Sequence, residues 1–237
     1  MSLKTLVGAM LALLLVSPVF AASAVERITD SLRDVVQAEP DAVEETPMEG
    51  LYQVIYGSQL FYVSADGRFL LEGNLIDLQS RRNLSEDRRG LVRHEQISEM
   101  AESDMVIYRP TGEVKHSVTI FTDVDCPYCV RIHEEVPELL SKGVQVRYLA
   151  FPRAGDGSST HRKMVSVWCA DDRNAAMDRV KGGGNNPVRN CENPVNAQHL
   201  LGQAIGVRGT PAIITESGRL IPGYLPAARL LEELESE

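Results

Sequence analysis

Apolar side chains at Val25, Ile28, Leu32, Val35 and Val36 recur every three or four positions, the period of a helix with one apolar face, so residues 25–38 are predicted to form an amphipathic helix. From Leu51 to Leu78 the texture changes to short apolar runs rich in tyrosine, broken by Tyr56-Gly57-Ser58, Ala65-Asp66-Gly67 and Glu72-Gly73-Asn74. This reads as an antiparallel meander with Asp66-Gly67 as its clearest hairpin turn. Residues 22–82 are therefore expected to be a small α+β unit. About sixty residues bury little core alone, which favours a unit that leans on a partner. Between Asn83 and Ser103 charge dominates and Leu91, Ile97 and Met100 are the sparse apolar points, so a solvated linker helix is predicted over 83–103. Asn83-Leu84-Ser85 matches a glycosylation acceptor, a pattern short enough to arise by chance.

Beyond the linker the order of elements is informative. A strand is predicted at Val118 to Thr122, a helix from about Pro127 to Lys142 with Gly143 as its stop, and a strand at Val144 to Phe151. Helical segments follow near Lys163 to Ala170, Ala175 to Val180 and Ala197 to Ile205, separated by loops that include Gly182-Gly183-Gly184. Strands at Ala212 to Thr215 and Arg219 to Ile221 and a helix from about Pro226 to Glu235 complete the chain. With the extra helices set aside the order is β-α-β-α-β-β-α. Residues 104–237 are thus expected to be an α/β, thioredoxin-like domain with a helical insertion over about 155–205.

Composition narrows the picture: 43% hydrophobic and 24% charged residues are globular proportions and argue against disorder, collagen repeats and coiled coils. The N-terminus reads as a secretory signal over 1–21. Lys4 is its positive residue, Leu6 to Val16 its apolar stretch, and Val19-Phe20-Ala21 and Ala22-Ser23-Ala24 are competing cleavage sites. That stretch is shorter than the roughly 20 residues a membrane span needs, so the mature protein is expected to be exported, with no stable membrane insertion. Without residues 1–21 the chain carries 23 basic against 33 acidic residues, net −10, the wrong sign for nucleic-acid binding.

Export changes how Cys126, Cys129, Cys169 and Cys191 are read, because disulfides persist outside the cytosol. Four cysteines allow two bridges in three connectivities. Zinc would want a second short-spaced pair or histidines at ligand spacing, which His116, His133, His161 and His199 do not supply; neither a metal nor a cofactor is expected.

Cys126-Pro127-Tyr128-Cys129 falls at the predicted strand-to-helix junction. Unpaired N–H groups and the helix dipole there favour a negative charge on Cys126, and the thiolate is the nucleophile. Cys129, one turn on, should be the more shielded sulfur. The asymmetry casts Cys126 as the attacking thiol and Cys129 as the one that resolves a mixed disulfide. Pro127 suits the first helical position and Tyr128 is expected to pack beside the pair. Asp125 should oppose thiolate formation, and both it and His133 are expected to be solvated. Gly209-Thr210-Pro211, just before the strand at Ala212, stands where a thioredoxin-like fold carries a cis-proline opposite its cysteine pair; an ordinary turn proline is the alternative.

Taken together, Phe121-Thr122-Asp123 leading into the cysteine pair, Val146 to Arg153, Trp168-Cys169, Gly206 to Ala212 and Pro222-Gly223-Tyr224 resemble the DsbC family of periplasmic disulfide-bond isomerases. The resemblance covers essentially the whole mature chain. It implies a periplasmic, V-shaped homodimer joined through a cystatin-like N-terminal dimerisation domain, with chaperone activity in a shared cleft. Misoxidised exported proteins would be its clients and the membrane reductase DsbD its electron donor, with no cofactor. It further implies Cys126 and Cys129 as the redox pair, Pro127, Tyr128, Thr210 and Pro211 as substrate-contacting residues, and Cys169 with Cys191 as a structural disulfide. Pro127 departs from the glycine common in the family and gives the CPYC of the related DsbG. The rival readings are a DsbG-like reductase that protects sulfenylated single cysteines, and a non-enzymatic dimeric holdase.

Overall fold

The computed structural model describes residues 23–237; the segment read as a signal, 1–21, lies outside them. Helix α1 (Ala24–Val36) starts at a capping box in which the Ser23 hydroxyl accepts from the Glu26 N–H and the Glu26 carboxylate from the Ser23 N–H. Ile28 and Leu32 are buried with Val54 and Val63. Val35 and Val36, at the end of the same stripe, stay exposed, so only part of the predicted apolar face meets a core.

Strands β1 (Ala42–Glu45), β2 (Leu51–Tyr56), β3 (Gln59–Ser64) and β4 (Leu70–Leu71) form an antiparallel sheet in that order. The meander was legible, but β1 was not, because Ala42-Val43-Glu44-Glu45 carries little apolar signal and is defined by its pairing with β2. Gly67, at φ +74, turns the chain from β3 toward β4 and lies so close to Ser31 of α1 that a Cβ would collide with that side chain. A two-stranded ribbon, β5 (Ile76–Asp77) with β6 (Arg82–Asn83), leads into α2 (Leu84–Ser98).

Helix α2 corrects one expectation. It is not solvated all round: Leu91 is exposed, but Ser85, Gly90, Val92, Arg93 and Ile97 are buried. The Arg93 guanidinium pairs with Glu86 and donates to the carbonyls of Ile205 at 3.0 Å and Gly218 at 3.2 Å. Those acceptors are main-chain groups more than 100 residues away, which is why a helix of charged residues hid a buried face. Asn83 caps α2 by accepting from the Glu86 N–H, and Ser85 is fully buried.

After a short 3-10 turn at Glu102–Asp104 come β7 (Val106–Tyr108), β8 (His116–Thr122), α3 (Pro127–Glu134), α4 (Val136–Ser141) and β9 (Val144–Ala150). Helices α5 (Ser159–Trp168), α6 (Arg173–Lys181) and α7 (Val195–Ala204) precede β10 (Ala212–Ile214), β11 (Leu220–Pro222) and α8 (Ala227–Glu235). The five-stranded sheet has the order β11-β10-β8-β9-β7, and only β8 and β9 run parallel. This is a thioredoxin-like α/β domain with extra helices between β9 and β10. The edge strand β7 was not predicted; it is defined by its antiparallel pairing with β9.

Alternation along β8 sends neighbouring residues to two cores. Ile120 packs with Ile132, Leu139, Met164, Trp168 and Leu230 on one side of the sheet; Phe121 packs with Leu149, Phe151, Ile205 and Ile97 of α2 on the other. The single helix predicted over 127–142 is two. Pro137 lacks the N–H that an unbroken helix would use, and the chain breaks at Glu135. The carboxylate of Glu135 then accepts from the Tyr224 hydroxyl and from the Ala227 N–H at the start of α8.

Candidate active site

Strand β8 ends at Thr122, and Asp123 to Asp125 carry the chain over the sheet edge to Cys126, the N-cap of α3, with Pro127 at the first helical position. The Cys126 N–H donates to the Asp123 carbonyl at 3.2 Å, closing the turn. Cys126 and Cys129 are unbonded thiols, 1% and 0% exposed. On the facing loop the Thr210-Pro211 peptide is cis, and the Cys126 thiol donates to the Thr210 carbonyl at 3.3 Å. Residues 84 positions apart are thus brought together, and the chain's own thiol occupies a carbonyl that an extended peptide could otherwise use.

The two sulfurs differ in acidity. A hydrogen bond from Cys129 holds the Cys126 thiol down to about 5, against the opposing effect of burial, with Thr210, the Cys129 N–H and Arg153 adding to the effect. Burial pushes Cys129 far up, and its bond to Cys126 raises it further. Cys126 is therefore the sulfur that carries negative charge near neutral pH, while Cys129 stays a thiol.

Tyr128 is 59% exposed and stacks on Tyr224, over which the Arg131 guanidinium lies. It covers the surface beside the pair rather than the sulfurs themselves. Cys169 and Cys191 are joined in a disulfide between the end of α5 and the segment before α7, with α6 inside the closed loop.

His133 differs from expectation, and Asp125, exposed as expected, is nevertheless paired. The Asp125 carboxylate is not simply solvated: it accepts from Lys163 at 2.7 Å and Thr160 at 2.6 Å, and these partners outweigh partial burial and hold its pKa low. Its charge is thereby largely offset before it reaches Cys126. His133 is a partly buried residue whose ring meets the Tyr148 hydroxyl and Asp178, each at 3.2 Å; burial lowers its pKa, with a further push from Lys181.

Nothing local in the sequence marks two charged groups, Asp123 and Lys181, as buried beneath the pair. Asp123 is buried, and its carboxylate accepts from the Asp125 N–H and from the Arg153 N–H and guanidinium. Lys181, from the end of α6, is also buried, with its Nζ 2.9 Å from both the Thr122 hydroxyl and the Asp123 carbonyl. Asp123 and Lys181 each look like surface charge in their local stretch, and only the tertiary fold reveals otherwise. Among the described residues no group of three or more His, Cys, Asp or Glu is placed to hold a metal ion.

Residues 101–236 match the family model described as a thioredoxin-like domain, and residues 19–86 match the disulfide bond isomerase protein N-terminal domain. The thiol:disulfide interchange protein DsbC of Escherichia coli strain K12 is 33% identical over 193 residues, spanning 81% of this chain and 80% of the relative. That of Haemophilus influenzae is 36% identical over 193 residues, 81% and 82% of the two chains. The chain belongs to the DsbC family. Like its DsbC relatives it is a thiol:disulfide interchange protein, an oxidoreductase working from a thioredoxin-like domain. A solved disulfide interchange protein from Neisseria gonorrhoeae superposes with a TM-score of 0.51 at 30% identity, covering 58% of this chain and 97% of its own. Proteus mirabilis ScsC in a transitional conformation, 18% identical with a TM-score of 0.51, shares the fold. The DsbC assignment spans both halves of the described chain, the N-terminal sheet as well as the cysteine-bearing domain.

Proposed function

We propose that Cys126 is the nucleophile and Cys129 the resolving thiol of an isomerase that reshuffles wrong disulfides in exported proteins. The observation that carries this reading is the placement of Cys126 at the N-cap of α3, its sulfur 3.3 Å from the Thr210 carbonyl of the cis-proline loop, with the fully buried Cys129 one turn on. The Cys126 thiolate attacks a substrate disulfide, forming a mixed disulfide and releasing a substrate thiolate. That thiolate attacks another substrate sulfur, and Cys126 leaves reduced. When rearrangement stalls, Cys129 attacks Cys126 and the substrate departs as a dithiol. Thr210, Pro211, Pro127 and Tyr128 form the contact surface for the client chain, with Tyr128 and Tyr224 offering an exposed aromatic platform.

The N-terminal unit is the dimerisation domain in this reading. Phe69, Leu70, Leu71, Ile76 and Leu78 are exposed around β4, an edge strand with one side unpaired, which suits a second copy of the sheet. The dimer would act in the periplasm, where disulfides persist, hold unfolded clients between its catalytic domains and receive electrons from DsbD. No helix among the described residues is long and apolar enough to cross a membrane. The Cys169–Cys191 bond serves as a structural staple outside the exchange reaction.

Recovery of activity from scrambled ribonuclease tests the reading. The protein should restore it with a catalytic requirement for Cys126, and full activity in Cys126→Ser would sink the assignment. Pro127 favours one alternative, a DsbG-like reductase acting on sulfenylated cysteines. Faster reduction of a sulfenylated test protein than of scrambled ribonuclease would decide for it.

A further inference from the structure

Lys181 is a lysine with almost no solvent, 4% exposed, reaching from the last turn of α6 to the floor beneath the cysteine pair. Taking an ammonium out of water is costly unless a counter-charge compensates. Here the nearby carboxylates are already engaged: Asp123 is held by Arg153 and Asp125 by Lys163. Among the described residues Lys181 has no ion pair; its two bonds go to neutral oxygens, the Thr122 hydroxyl and the Asp123 carbonyl. A third N–H is left over. Asp123 links this amine to the pair, since its carbonyl accepts from Lys181 while its backbone N–H acts against the rise in the Cys129 pKa.

In the mixed disulfide Cys126 no longer carries a charge, so a buried ammonium on this floor is complementary to the negative charge that develops next, on Cys129. In the resolving step the Cys129 thiol gives its proton to the departing substrate sulfur, the Cys126–Cys129 bond forms, and the Cys126–substrate bond breaks. Two electrons pass from the enzyme dithiol to the substrate disulfide. Cys129 must approach thiolate character for this, and burial opposes it.

We propose that Lys181 is a positioning residue for resolution: its ammonium, fixed on Thr122 and Asp123, supplies the positive charge that lets the buried Cys129 act as a nucleophile. This rests on the roles given above to Cys126 and Cys129. The other charged or titratable groups facing this floor are Cys126 and His133 from α3, Asp123 and Asp125 from the loop before it, Tyr148 from β9, Arg153 from the loop after β9, and Asp178 from α6 itself. Burial lowers the Lys181 pKa, while Cys129, Asp123 and Cys126 act to hold its charge. Asp123 and Asp125 are each paired with another cation, and burial pushes Tyr148 upward, so once Cys126 is tied up in a mixed disulfide Lys181 is the positive charge left facing Cys129.

Stopped-flow reaction of the reduced full-length protein with Ellman's reagent separates the steps. The first nitrothiolate released reports attack by Cys126, the second resolution by Cys129. In Lys181→Met the first phase should change much less than the second, because Lys181 acts more strongly on Cys129 than on Cys126. The second should slow about tenfold or more at neutral pH and recover at higher pH, as expected when an opposite charge shifting a pKa by roughly one unit is removed. An unchanged second phase overturns the proposal, and so does an equal slowing of both phases. Absence of a fast first phase in the unsubstituted protein would instead overturn the Cys126 assignment. If Lys181→Met does not fold, Thr122→Val loosens the ammonium without removing its charge; an unshifted second phase in that variant also counts against the proposal.

Discussion

At Cys126 the sulfur, the helix start and the neighbouring thiol act in the same direction, and the pH dependence follows. A thiol whose folded pKa lies near 5, against about 9 unperturbed, contributes stability that is full above 9 and is lost as pH falls through 5. Cys129 is shifted the other way and does not ionise in that window. The reduced protein should therefore gain stability from pH 5 to pH 9 by denaturant unfolding, and Cys126→Ser should lose that slope; a flat profile in the parent protein contradicts the depressed thiol. A stabilised thiolate also favours the reduced form, so the pair's potential should lie on the oxidising side of thioredoxin, about −200 to −120 mV, by equilibration with glutathione. Cys129→Ser should accumulate mixed disulfides with clients on non-reducing gels, whereas Cys126→Ser should trap none. Equal trapping by the two variants would reverse the division of labour.

Elements carry a second set of expectations. The Cys169–Cys191 bond closes a loop of about 23 residues, worth roughly 3.4 kcal/mol in the chain-entropy model. Replacing both cysteines by Ala should lower the thermal midpoint by several degrees while the alkylation rate of Cys126 stays close to that of the parent; loss of that reactivity with the midpoint unchanged would mean the bridge is more than a staple. Ser23→Ala removes the acceptor that caps α1 and should cost about 1 kcal/mol of local stability, visible as faster amide exchange in the first turn. The thioredoxin-like order was legible because its strands are apolar runs and its glycines mark their ends. The cysteine pair and Thr210-Pro211 were legible because contiguous residues and their place among the elements identify them. Other features depend on distant neighbours. Local apolar periodicity hid the break at Pro137, Arg93 buries its charge on carbonyls contributed by another part of the chain, and the Arg179-Val180-Lys181 stretch looks like any polar helix end until Lys181 meets Thr122.

For the whole molecule the exposed apolar row near β4 makes the oligomeric state the property to test. Leu70→Lys with Leu71→Lys should convert a dimer to a monomer by sedimentation and remove most isomerase activity, while reduction of a small disulfide persists; a double variant that remains dimeric would place the interface elsewhere. The way α2 is built into the second half also has a practical meaning for anyone transplanting that half onto a different scaffold. Ile97 fills the cluster around Phe121 and Leu149, and Arg93 is tied to Ile205 and Gly218. The transferable cassette consequently begins at the Asn83 cap, and a splice made after Ser103 would hand the recipient a module with its apolar floor already torn open.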